Sequence, residues 1–99
     1  MLCAHTVRRL KPGTFDEFAE KFGPPEGADA PSGWNAFYML RNLADENEVV
    51  TFGFFDGTID ELNSSQDDAG YEERRAAVDD LVESVVANGV YEIVKERQL

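Results

Sequence analysis

The sequence predicts a single α+β domain in which four antiparallel strands form one sheet and two helices lie on one of its faces. Three observations lead there. The chain has 99 residues, the size of one domain, so residues 1–99 are read as one unit. Strand, helix and strand signals occur in that order twice. Gly13-Thr14-Phe15-Asp16-Glu17-Phe18 also matches Gly57-Thr58-Ile59-Asp60-Glu61-Leu62, each segment following a strand and opening a helix.

The first strand is Leu2–Leu10, ended by the turn Lys11-Pro12-Gly13. Thr14 and Glu17 have the spacing of a capping box, and Phe15, Phe18, Ala19 and Phe22 repeat at helical spacing until Gly23-Pro24-Pro25 stops them. Residues 23–33, rich in Pro and Gly, read as a long loop. Trp34–Leu43 and Glu48–Phe55 read as a hairpin turning at Ala44-Asp45-Glu46-Asn47. Thr58 and Glu61 form a second capping box. Ser64-Ser65-Gln66-Asp67-Asp68 reads as a break, and Tyr71, Val78, Leu81, Val82 and Val85 resume a helix that Asn88-Gly89 caps. Val90–Lys95 is the last strand.

That order is βαββαβ, the split βαβ or ferredoxin-like arrangement, with right-handed crossovers that put both helices on one face. The other face should then be polar in a monomer. It is not: Trp34, Ala36, Tyr38 and Leu40 share one parity, Phe37, Met39 and Leu43 the other, and Val50, Phe52 and Phe54 stand opposite Val49, Thr51 and Phe55. So large an apolar face predicts cover by a second copy, as a homodimer.

Composition narrows the partners. A formal charge of −11 repels nucleic acid and anionic membranes. No apolar run approaches the roughly 20 residues of a membrane helix. Met1–Val7 has no basic leader and Cys3 is the one cysteine, so a reduced cytoplasmic location is expected. Two same-face candidates, Cys3 and His5, are too few for a metal site.

His5-Thr6-Val7 in the first strand, the Lys11-Pro12-Gly13 turn, a Phe-rich first helix, a hairpin, Phe54-Phe55-Asp56-Gly57-Thr58 before the second helix and a short last strand together resemble the dimeric α+β barrel superfamily. Within it, the antibiotic biosynthesis monooxygenase-like and stress-responsive barrel proteins are most similar. The resemblance implies two sheets closed as a barrel across a dimer, a pocket between each sheet and its own helices, and oxidation of aromatic substrates there without cofactor. Members that degrade haem ligate iron through a helix-borne histidine. Residues 71–88 contain none, so no haem is expected.

Candidate residues follow. His5, the one histidine, is the candidate catalytic base; a satisfied structural histidine is the alternative. Trp34, Tyr38 and Tyr71 are candidates to pack against an aromatic ligand, or else belong to the core or the interface. Arg8, in a basic cluster with Arg9 and Lys11, is a candidate to bind an anionic substrate, or pairs with nearby carboxylates. The function expected is small-molecule binding, as a cofactor-independent monooxygenase on an aromatic substrate or as a non-catalytic binding or structural barrel.

Overall fold

In the computed structural model, residues 1–23, 33–68 and 71–99 are described, with the side chains of 66–68 and 71 set aside. Most of the expected 23–33 loop lies outside them. The elements are β1 (Leu2–Leu10), α1 (Phe15–Lys21), β2 (Trp34–Asn42), β3 (Asp45–Phe55), α2 (Ile59–Asp68), α3 (Tyr71–Val78), a short 3₁₀ turn (Asp79–Leu81) and β4 (Val82–Glu92). The four strands form one sheet in the order β2-β3-β1-β4, every neighbouring pair antiparallel. The expected ferredoxin-like sheet is therefore present, but three α-helices, not two, accompany it.

Three further expectations are corrected. Ser64–Asp68 is the last part of α2, not a break. The opening capping box supports the helix: Thr58 N–H donates to Glu61 Oε1 at 3.1 Å and Glu61 N–H to Thr58 Oγ1 at 3.2 Å. Helix ends at Val78, and Val82–Asn88 are strand. The run Val82-Glu83-Ser84-Val85-Val86 carries three β-branched valines and fits a pleated edge better than a helix. Asn88-Gly89 then pairs with β1 in mid-strand and caps nothing. The first capping box is not made. Thr14 Oγ1 donates backward to the Lys11 carbonyl at 2.7 Å, fastening the β1–α1 turn.

The hairpin closes earlier than expected, with Leu43-Ala44 as its tip; Asn42 Oδ1 accepts from Ala44 N–H at 2.8 Å. The core gathers where β1 ends. Leu10, Phe18, Phe22, Val49, Val78 and Leu81 are buried there, with Phe15, Met39 and Val82 packed against them. Leu81 O accepts from Lys11 N–H at 2.8 Å, tying the end of the helical layer to the first turn. No helix among the described residues is long and apolar enough to cross a membrane.

Candidate functional site

Strand register sorts the side chains onto two faces. On the helix-covered face, reading across β2, β3, β1 and β4, Phe37, Gly53, Ala4 and Val90 form one row and Met39, Thr51, Thr6 and Asn88 the next. This strip, small or polar in its middle strands and flanked by Phe37, Met39 and Val90, lies between the buried core at one end of the sheet and buried Phe55 at the other.

Arg8 and Trp34 flank the strip. Arg8 stands on the helix-covered face because it pairs with Val49. Only 6% exposed, it donates from Nη1 to Thr51 Oγ1 at 2.9 Å, with its guanidinium carbon 4.6 Å from the centre of the Phe22 ring. A guanidinium suits this place because it stacks on an aromatic face while its planar fork bonds sideways. Thr6, beside Thr51, donates from Oγ1 to Asn88 Oδ1 at 3.1 Å.

Trp34 arrives through a register shift. The bulge between Trp34 and Ala36 sets Trp34 opposite Phe55, so it joins the helix-covered face while Ala36, Tyr38 and Leu40 take the other. Its ring lies on Gly53: a Cβ at that position would sit 2.9 Å from Trp34 Cζ3. The indole N–H donates to Ser65 Oγ of α2 at 2.7 Å, and Phe55 meets the ring edge-on at 5.1 Å. The Trp34 ring and the Arg8 guanidinium thus address Gly53 and Thr51, same-face positions of one strand about 7 Å apart. An aromatic plate beside a buried cation and two hydroxyls is suited to a planar ligand carrying negative charge.

The open face is different. Tyr38 stacks on Phe52 at 5.2 Å and 24°, Phe52 on His5 at 6.4 Å and 27°, and Tyr91 meets His5 edge-on at 5.7 Å. Four rings from four strands make one row. Tyr91 completes it by folding over Gly89, where a Cβ would touch its ring at 3.4 Å. His5 Nδ1 is buried without a hydrogen-bond partner among the described residues. Burial also pushes the neighbouring Cys3 thiol up from its ordinary pKa.

The five candidate residues therefore do not share one pocket. Trp34 and Arg8 come together under the helices, whereas His5 and Tyr38 stand on the opposite face. Tyr71 opens α3, and its side chain lies outside those described. His5 does not share the helix-covered face with Trp34 and Arg8, by simple alternation. Arg8 puts the even residues of β1 under the helices, and His5 is odd. Arg8 and Arg9 likewise point apart. Arg9 is a surface cation, 2.9 Å from Asp45 Oδ2 and 3.8 Å from Glu83 Oε2, and its hydrogen bond holds the Asp45 carboxyl below the usual aspartate range. Sequence reasoning missed Thr51, Gly53, Ser65, Thr6 and Asn88. Thr51 and Thr6 were legible as same-face partners once the register was known. Ser65 was hidden in a segment read as a break, and Asn88 in one read as a cap.

No family model and no curated protein sequence matches the chain. Solved structures do. The antibiotic biosynthesis monooxygenase-like protein of Chloroflexus aurantiacus superposes with a TM-score of 0.78 at 14% identity, over 98% of this chain and 96% of that one. Its counterpart from Nitrosomonas europaea gives 0.77 at 17% identity, over 96% and 100%. SnoaB, a cofactor-independent oxygenase from Streptomyces nogalater, gives 0.68 at 13% identity, over 96% and 94%. With TM-scores of 0.68 to 0.78 and near-complete coverage of both chains, the chain has the fold of these antibiotic biosynthesis monooxygenase structures.

Proposed function

We propose that the protein is a homodimeric, small-molecule oxygenase that works without metal or flavin on an electron-rich aromatic substrate held on the helix-covered face. The observation that carries this reading is the seating of Trp34 and Arg8 over neighbouring same-face positions of β3, Gly53 and Thr51. The substrate ring lies against the indole, and its phenolate or enolate oxygen faces the guanidinium. Arg8 favours the ionised substrate, whose proton passes to solvent water before oxygen is met and is returned from solvent to the peroxide oxygen. The carbanionic carbon then passes electrons to dioxygen and forms a carbon–oxygen bond. The hydroperoxide so formed loses water and leaves a carbonyl. Likeness of fold to SnoaB supports this chemistry. A second subunit covers the open face, whose ring row and Leu40 are otherwise exposed to water.

Trp34 is the one tryptophan in the chain, so its fluorescence reports the site directly. Titration with 1,8-dihydroxyanthrone should quench it saturably, and oxygen uptake should follow. Arg8→Met should weaken binding of the ionised ligand roughly 10-fold or more, a lost charge-assisted bond. No quenching by this anthrone or by 2-naphthol, together with no oxygen uptake, would sink the proposal. A second reading, a binding barrel without catalysis, is favoured by the position of the one histidine on the far side of the sheet. Quenching without oxygen uptake is its signature.

A further inference from the structure

His5 is the residue left unused by the site under the helices. It sits at the centre of the open face, the third ring of the row Tyr38, Phe52, His5, Tyr91. From β3 it meets Phe52, flanked by Val50 and Phe54; from β4, Gly89 and the Tyr91 ring; along β1, Cys3 and Val7; from β2, across Phe52, Tyr38. The titratable groups among these are the Cys3 thiol and the Tyr38 and Tyr91 phenols, and none of them is a carboxylate. Arg9 and Glu48 stand opposite each other toward one end of these strands, with Arg9 committed to Asp45 and Glu83, and the Met1 amino group lies toward the other end.

We infer that His5 makes the dimer acid-labile: two copies associate through this face while the imidazole is neutral and come apart as it gains a proton. The inference rests on the homodimer proposed above. Nδ1 is already covered and without an acceptor, so a proton there has nothing to bond. In a separate subunit the half-buried ring is still open to water on one side. A second aromatic sheet laid over it removes that water and offers a cation no carboxylate from its own face. Imidazole is the side chain that ordinarily changes charge between pH 5 and 8.

The sign is set by linkage. The dimer excludes the protonated ring and the monomer accepts it. Association is therefore strongest where the imidazole is neutral and weakens as falling pH adds a proton to it. With one histidine per subunit, the limiting slope is two protons, a weakening of up to about 100-fold in Kd per pH unit. General charge acts the other way. Each subunit carries a formal charge of −11, and protonating carboxylates reduces repulsion between copies. The two contributions separate in one comparison.

The experiment is sedimentation equilibrium of the full chain at pH 8.0, 7.0, 6.0 and 5.5 and constant ionic strength, beside His5→Phe and His5→Gln. Phe continues the ring row, and Gln keeps a neutral polar group should Phe disturb the fold. The expected result is a wild-type Kd that rises steeply below pH 7 while both variants stay level or tighten. A wild-type dimer whose Kd runs parallel to the variants overturns the inference and leaves the dimer standing. A wild type that is monomeric at pH 8.0 overturns both.

Discussion

The two faces of this sheet are both apolar in sequence, yet they are built on opposite plans. Under the helices, buried hydrophobes crowd the ends, and the middle mixes Thr51, Thr6 and Asn88 with Gly53, Ala4, Phe37, Met39 and Val90. On the open face the middle is where the rings meet, and Arg9 and Glu48 stand toward the margin. A mixed polar and apolar middle suits a small ligand. An apolar middle with a charged margin suits another protein, whose core contact excludes water and whose rim keeps it. The same strands serve both plans because successive residues of a strand point to opposite sides.

That comparison can be broken one face at a time. The largest effect belongs to the helix-covered face. Phe18 is fully buried against Phe22 and Arg8, and Phe18→Ala should cost about 3–5 kcal/mol of folding stability. Urea unfolding measures it; a loss under about 1 kcal/mol would mean that α1 does not seal this face. Next comes Phe52→Asp on the open face. It should weaken self-association about 30- to 1,000-fold, the range of an interface hot spot, while the subunit keeps its far-ultraviolet circular dichroism. In the wild type the melting temperature should rise with protein concentration, and in this variant that dependence should vanish. An unchanged dimer would move the interface elsewhere.

The smallest effect lies at the margin. Asp45 is held below the ordinary aspartate range, first by the hydrogen bond from Arg9. A carboxyl with a lowered folded pKa adds stability above its unfolded value, and that part is lost as pH falls through the folded one. Asp45→Asn should therefore cost slightly near pH 7 and nothing at the acid end, so that the urea midpoints of the two proteins converge on acidification. The pair is exposed, which keeps the difference small. Midpoints that diverge toward acid pH would contradict the assignment.

The sheet itself was legible in the sequence, because β1 and the hairpin carry strong β-branched and aromatic runs between clear turn residues. The second half was less so. Val78, Leu81, Val82 and Val85 are spaced by threes and fours, a helical signal, yet the chain turns through Asp79–Leu81 and leaves as a strand. Pairing with the free edge of β1 satisfies a full line of backbone groups, which outweighs weak local spacing. The matched segments after Gly13 and Gly57 teach the same lesson. Both start helices, and Phe18 and Leu62 hold equivalent buried places. Only the second makes its capping box, because the first threonine is drawn to the Lys11 carbonyl by the turn before it. The site was half legible. Residue type marked Trp34 and Arg8, but no composition signal announces a bulge, and without it Trp34 and Tyr38 belong to the same face.

That bulge carries a consequence for how such a protein changes over time. Asn35 is the extra residue between two paired positions, and one tryptophan's allegiance hangs on it. Deleting it would make Trp34 and Ala36 consecutive, which strict alternation also sets on opposite faces, so the indole would keep its side. Smoothing the bulge at unchanged length would instead slide Trp34 by one position and turn the indole to the side of Tyr38. Substitution can enlarge, shrink or recharge a surface, but within a fixed register it does not move a side chain through the sheet. A change of pairing does, and in one step it exchanges what the two faces offer. The pairing at residue 35 is therefore the point on which the character of both faces turns.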